Sequence, residues 1–218
     1  MTATIAPPAV TVIQPAVLEG ISWQTYEMLL RDLEQNGHNV RLTYDEGRVA
    51  IMSPSPDHET DKKLIARMVE MLVLELDIPI RSLGSTTWRR AQLAKGLESD
   101  ECYYIQREPE IRGQRTFDLA SDPPPDLVIE IDVTNHPIDR IGIYRALRVP
   151  EVWLCSAAHV ACLVLLGAEY REMEYSAAFP FLRVGELDRF LAMLPATDEN
   201  SIIRAFRDWA RAAFEKKQ

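Results

Sequence analysis

The chain has 218 residues, of which 47% are hydrophobic and 26% charged, which is typical of a soluble globular protein. Its net charge of -9 argues against a protein that grips duplex nucleic acid through its overall field, although a local basic patch is compatible with this total. No apolar run approaches the ~20 residues of a membrane span, and the N-terminal residues do not resemble a signal peptide. Cys102, Cys155 and Cys162 lie among apolar residues without metal-ligand spacing, so we expect reduced core cysteines and a cytoplasmic protein.

The first half of the chain predicts an arm followed by alternating helical and extended segments. Residues 1–18 are rich in Ala, Pro, Thr and Val, so we expect a flexible N-terminal arm and then a single domain over residues 19–218. Apolar periodicity and turn residues next predict a helix, a hairpin and a long helix over 23–35, 41–52 and 56–76. Ser55 is the predicted N-cap of the long helix, and Glu59 lies in its first turn.

The second half predicts mainly strands. They are expected over 79–89, 100–105, 126–134, 151–156, 160–166 and 170–176. Helices are expected over 138–148, near 187–193 and after a predicted N-cap at Thr197. A loop is expected over 92–99 and a long connection over 106–125. This order favours an α/β or α+β fold with a central mixed sheet flanked by helices.

The strand predicted at 126–134 has an unusual polar face. Its apolar residues alternate and share one face, while the other face carries Asp126, Val128, Glu130 and Asp132. Glu130 and Asp132 emerge roughly 6.6 Å apart, so their charges repel unless a cation lies between them. This face is either a solvent-exposed polar edge or half of a divalent-metal site, because Mg²⁺ prefers carboxylate oxygens.

A second acid is expected beside this strand. If the strand that begins at Asp100 pairs antiparallel with the Glu130 strand, the start of the first lies beside the end of the second. Asp100 then approaches Glu130 and Asp132, whereas Asp126 lies roughly 13 Å from Glu130 and cannot share its ion. Asp100 and Glu130 are therefore the predicted metal ligands. If they repel each other, Glu130→Gln should leave the metal-free melting temperature unchanged or raised.

Seven short segments carry a resemblance to a known family. They are SWQTY at 22–26, IMSP at 51–54, HE at 58–59, GSTT at 84–87, DECYYI at 100–105, PPDLVIE at 124–130 and VPEVW at 149–153. In this order and spacing they resemble the Uma-two family of restriction-endonuclease-like proteins, within the PD-(D/E)XK nuclease superfamily. The resemblance runs from about residue 20 to the C-terminus, and it implies a restriction-endonuclease-like α/β fold with a mixed β-sheet flanked by helices.

The resemblance implies a nuclease that uses Mg²⁺ or Mn²⁺ to hydrolyse phosphodiester bonds in DNA. Glu59, Asp100 and Glu130 match the family's acids, and the metal would lie on Asp100 and Glu130. Asp132 stands where the superfamily has a lysine, and Arg140 stands where family members often carry a lysine in the following helix. Arginine keeps its charge and cannot act as a base, so Arg140 is expected to hold a phosphate or to stabilise the transition state.

Two hypotheses of different class follow from these residues. The first is an active metal-dependent endonuclease, which the three intact acids favour. The second is a catalytically impaired module with a nuclease fold that acts in nucleic-acid binding or assembly, which Asp132 and Arg140 favour.

The expected partners are DNA and a second copy of the chain. Candidates for contacting a nucleic-acid backbone are Lys62, Lys63, Arg89 and Arg90, although each of them taken singly is more typical of a solvated surface charge. A homodimer is expected because duplex cleavage calls for two sites. The final helix, with Trp209 and Phe214, also carries more aromatic surface than a terminal helix needs.

Overall fold

The computed structural model describes residues 15–35, 40–53, 55–131, 136–156 and 159–214. The helices are α1 (Trp23–Gln35), α2 (Pro56–Glu75), α3 (Glu108–Ile111), α4 (Arg140–Ala146), α5 (Asp188–Leu191) and α6 (Glu199–Phe214). The strands are β1 (Ala16–Leu18), β2 (Arg41–Asp45), β3 (Arg48–Met52), β4 (Arg81–Ser82), β5 (Thr87–Arg90), β6 (Lys95–Glu98), β7 (Glu101–Tyr104), β8 (Leu127–Ile131), β9 (Glu151–Ser156), β10 (His159–Leu166) and β11 (Glu169–Met173).

The strands form two sheets. The first has the order β1-β3-β2-β6-β5 and is antiparallel throughout. The second has the order β11-β10-β9-β8-β7-β4 and is mixed, because β8 and β9 run parallel while its other pairs are antiparallel. The predicted α/β architecture with a mixed sheet flanked by helices is confirmed. The single sheet expected from the sequence is instead two, since the N-terminal hairpin forms its own sheet with β1, β5 and β6.

Local sequence signals account for most element boundaries. Ser55 caps α2 by accepting a hydrogen bond from the backbone N–H of His58 at 3.2 Å, as predicted. The strand expected over 79–89 is split into β4 and β5 by Gly84, whose φ of +59° is a conformation that glycine adopts readily. Asp198, rather than the predicted Thr197, caps α6, since its Oδ1 accepts from the N–H of Ser201 at 3.1 Å.

Two other segments differ from the sequence-based expectations. Residues 92–99, predicted as a loop, contain β6, which is held between β2 and β5. In the predicted N-terminal arm, residues 16–18 form β1 and pair antiparallel with β3. The remainder of that arm, residues 1–14, lies outside the described residues. Backbone pairing to a neighbouring strand decided both cases, and a single-sequence pattern does not show it.

Both faces of the second sheet are buried. One face packs against α2, α5 and α6, and Leu127, Ile129 and Trp153 lie in that core. On the opposite face, Val128 packs with Tyr144 of α4 and with side chains of the first sheet. The polar face predicted for β8 is therefore covered by α4 and does not form a solvent-exposed edge.

The remaining core lies under α1, on the hairpin of the first sheet. Tyr26 and Leu30 of α1 pack there against Leu42, Tyr44 and Val49. The three cysteines are free and buried, in agreement with the expected reduced core cysteines. None of the helices among the described residues has the length and apolar character needed to cross a membrane.

Candidate functional site

Asp100 and Glu130 lie at matching ends of two paired strands. β7 pairs antiparallel with β8, with Glu101 opposite Ile129, so the residue before β7 lies beside the carboxyl end of β8. The backbone N–H of Ile131 donates to Oδ2 of Asp100 at 2.7 Å. The strand arrangement predicted from the sequence is confirmed, and both acids line one cavity.

The carboxylate of Glu130 is held by α4. Arg140, the first residue of α4, donates from Nε to Oε2 at 3.0 Å and from Nη2 to Oε1 at 2.6 Å. One turn later, the hydroxyl of Tyr144 makes a short hydrogen bond to Oε1. The remaining donors of Arg140 reach Oγ1 of Thr43 at 2.9 Å and the carbonyl of Glu98 at 2.6 Å. The acid of β8 and a base of α4 thus form one buried unit that also ties the two sheets together.

The carboxylate of Asp100 is held by a second arginine and a histidine. Arg41, from β2 of the first sheet, forms an ion pair with Oδ1 of Asp100. Nε2 of His58, from the first turn of α2, lies 3.1 Å from Oδ2. Three different elements therefore converge on this one acid.

Arg41 also gathers two further acids. Its Nη2 lies 3.3 Å from Oε1 of Glu59, and its Nε lies 3.5 Å from Oε1 of Glu98. Glu59 is partly exposed at the rim and is contacted by Nζ of Lys62 at 3.4 Å. Arg41 itself is buried, so its positive charge is balanced by carboxylates rather than by water.

Burial shifts the pKa values of groups around the cavity. It lowers the pKa of His58, and the nearby charge of Arg41 lowers it further. Burial and the charge of Arg140 likewise lower the pKa of His136, whose Nε2 lies 3.5 Å from Oγ1 of Thr43. The pKa of Glu98 is raised by burial, against the opposing effect of Arg41 and Arg140. Both histidines are therefore held neutral near pH 7.

The donors at the site fit a divalent ion by type, but guanidinium groups already contact them. Mg²⁺ commonly keeps several waters and is bound by one or two carboxylates together with substrate phosphates, which matches Asp100 and Glu130. No group of three or more His, Cys, Asp or Glu is arranged to hold a metal in the part of the chain that the structure describes. The cavity between the acids measures about 10 Å³, which is room for one water at most. An ion could therefore bind only after the side chains of Arg41 and Arg140 withdraw.

The structure brings together four of the five residues predicted for the site. Glu59, Asp100, Glu130 and Arg140 are linked through Arg41 and Glu98, with Glu59 at the rim. The fifth residue, Asp132, lies outside the described residues.

Asp126 serves elsewhere, as expected for an acid at the other end of its strand. Its Oδ2 accepts from the backbone N–H groups of Ile105 and Arg107, at 2.7 and 2.9 Å. These contacts fix the turn that follows β7.

Sequence reasoning missed several residues of the site. They are Arg41, Thr43, His58, Glu98, His136 and Tyr144. One signal was available, because Arg41 and Thr43 alternate with apolar residues along a predicted strand. That pattern normally indicates a solvent-facing side, and only the approach of the second sheet makes it an interior one.

Comparison with known proteins decides the family. A model of the Uma2 family, described as "Putative restriction endonuclease", matches residues 23–194, well over half of the chain. This chain belongs to the Uma2 family. Among solved structures, it is similar to "a putative nuclease belonging to DUF820" from Anabaena variabilis ATCC 29413, at 13% identity and a TM-score of 0.43, over 76% of this chain and 90% of that one. No curated protein matches the sequence.

Proposed function

We propose that this Uma2 protein is a metal-dependent endonuclease that hydrolyses phosphodiester bonds in DNA. The observation that carries the proposal is the convergence of Asp100 and Glu130 on one cavity, at matching ends of two paired strands. Membership of a family described as restriction endonucleases supports the same activity. Asp100 and Glu130 would hold Mg²⁺ or Mn²⁺, which when bound supplies an activated water and polarises a phosphoryl oxygen.

In this proposal Arg41 and Arg140 exchange partners when substrate binds. A guanidinium group pairs with phosphate oxygens in the same two-pronged geometry as with a carboxylate. Arg140 now uses that geometry on Glu130, and Arg41 contacts Asp100. Once the carboxylates bind the ion, both arginines are free to hold the scissile phosphate and to stabilise the charge that develops on it.

A second candidate is a catalytically impaired module that binds nucleic acid or acts in assembly. The contact between Arg140 and Glu130 favours it, because this pair is buried and Tyr144 completes the coordination of the acid. Separating the pair exposes two desolvated charges, which costs several kcal/mol before an ion can enter. An arginine that never withdraws would exclude the metal.

A plasmid-cleavage assay tests the first candidate. Wild type should nick supercoiled DNA with Mn²⁺ or Mg²⁺ and not with EDTA. Asp100→Asn and Glu130→Gln should lower the rate at least about a hundredfold if each holds the ion. Glu169→Gln is the matched control, since that carboxylate is exposed on β11 and is far along the sheet order from β7 and β8.

Arg140→Lys separates the two candidates. Lysine keeps the charge but cannot bond both oxygens of Glu130 through one planar group. If wild type cleaves DNA and Arg140→Lys cleaves more slowly, Arg140 contributes to catalysis as the first candidate requires. An inactive wild type with a metal-dependent Arg140→Lys would establish the impaired module, and inactivity of both proteins would reject the endonuclease.

A further inference from the structure

A cleft of about 500 Å³ lies beside the exposed edge of the first sheet. One wall is α1, which contributes Trp23, Glu27 and Glu34, and the opposite wall is the segment 117–120. β5 and the turn after it line the cleft between these walls. The cleft does not include the acids of the candidate site, so it requires a separate explanation.

The strand along this cleft has an unused edge. β5 is the last strand of its sheet, and within the described residues it pairs with β6 alone. The outer side of such a strand presents backbone N–H and C=O groups that another strand can pair with. Proteins that avoid edge pairing commonly place charges of one sign along the edge, so the charges here decide whether pairing is blocked or favoured.

Charges of both signs flank β5. Glu27 and Glu34 lie seven residues apart on α1, on the wall that faces the cleft, while Arg89 and Arg90 lie on β5 itself. None of these four side chains forms an ion pair with another residue in the described ranges. A patch with unpaired acids and unpaired bases is complementary to itself.

We propose that the cleft binds a second copy of this chain through antiparallel pairing of β5 with β5 of the partner. A two-fold axis makes such a contact use the same patch on both subunits, so the arginines of each copy meet the acids of the other. Backbone hydrogen bonds extend the sheet across the axis, as in other cases of strand addition. Acidic walls also disfavour DNA as the occupant of this cleft.

The C-terminal helix does not supply this contact. Phe190 and Phe206 pack around Trp209, while Phe181 packs against Phe214, so both aromatic residues that suggested a dimer are engaged within the chain. The β5 interface goes beyond the proposed nuclease function, because it depends on a different surface. It also adjoins the candidate site, since Thr87 of β5 pairs with Glu98, which contacts Arg41.

Sedimentation equilibrium of two charge-reversal variants tests the interface. Wild type should show a mass of twice 24.8 kDa. The variant Arg89→Glu/Arg90→Glu makes the patch wholly acidic, and Glu27→Arg/Glu34→Arg makes it strongly basic, so each alone should sediment as a 24.8 kDa monomer. An equimolar mixture of the two should recover the dimeric mass, because each variant then complements the other. Recovery in the mixture also shows that both variants are folded.

The matched control reverses two charges on β11, the edge strand of the other sheet. Arg171→Glu/Glu172→Arg should leave the wild-type mass unchanged. A monomeric wild type at every concentration overturns the proposal, as does a dimer that persists in both patch variants. Binding of a basic peptide to a monomeric wild type would assign the cleft to another occupant and overturn it too. None of these masses depends on cleavage activity, so the dimer and the nuclease can fail independently.

Discussion

Arg140 bonds both carboxylate oxygens of Glu130, from Nε to Oε2 at 3.0 Å and from Nη2 to Oε1 at 2.6 Å. The side chains of the two residues are only 4% and 1% exposed, so water compensates neither charge. The positive charge of Arg140 balances the acid and is the cation that strand periodicity alone does not identify. The expectation that Glu130→Gln relieves repulsion is therefore wrong for the metal-free protein, in which the acid is paired.

We predict that Glu130→Gln and Arg140→Met each lower the free energy of unfolding by about 3–5 kcal/mol, because each leaves a buried partner uncompensated. The double variant Glu130→Leu/Arg140→Met should cost less than the sum, since it removes both charges together. Urea unfolding at pH 7 without metal gives the three values. Additive costs would show that the two residues do not act as a pair.

Arg41 should be similarly important for stability. It is buried and contacts Glu59, Glu98 and Asp100, so Arg41→Met leaves several carboxylates facing one another. We expect a loss of about 3–5 kcal/mol, or a melting temperature lower by roughly 6–20 °C. Arg48→Met on the adjacent strand is the control, because its pair with Glu19 is exposed and should contribute less than about 1 kcal/mol. Equal melting temperatures for the two variants would contradict the central role of Arg41.

Glu151 should act as a structural acceptor far from the candidate site. This fully buried acid accepts from Nε1 of Trp153 at 2.5 Å and from the backbone N–H of Ala178 at 2.6 Å. Glu151→Gln replaces one acceptor oxygen with an NH₂ donor, which leaves one of these N–H groups unpaired. We predict a loss of about 1–3 kcal/mol in thermal or urea unfolding, with the DNA-cleavage rate at saturating metal unchanged. An unchanged stability would mean that the buried donors find other acceptors.

The stability of the protein should depend on the protonation of His136. Burial and the charge of Arg140 lower its pKa below 6.5, so the folded state resists protonation. No penalty exists well above pH 6.5, and a penalty grows as the pH falls from 6.5 towards the lowered pKa, because the unfolded chain then binds the proton more readily. In His136→Asn the free energy of unfolding should fall less steeply over this window, by up to about 1.4 kcal/mol per pH unit. Parallel pH profiles for the variant and wild type would contradict this.

The sequence by itself determined the elements that depend on local chemistry. The bounds of α1 and the N-cap of α2 follow from apolar spacing and from a serine hydroxyl that accepts a backbone N–H. The antiparallel pairing of β7 with β8 was also predictable, because the period of a strand fixes which residues share a face. Strand period and antiparallel pairing together are sufficient to place Asp100 beside Glu130.

Only the tertiary structure decided how the charges of those acids are balanced. Arg41 and Arg140 lie 99 residues apart in the chain, and each meets its acid because two sheets and α4 pack around one cavity. A strand pattern records which residues share a face, but it does not record what covers that face. β6 escaped prediction for the same reason, since its apolar content is low and its position depends on pairing with β2 and β5. Long-range packing therefore determined the chemistry at the end of β8, where periodicity had determined only the position of its acid.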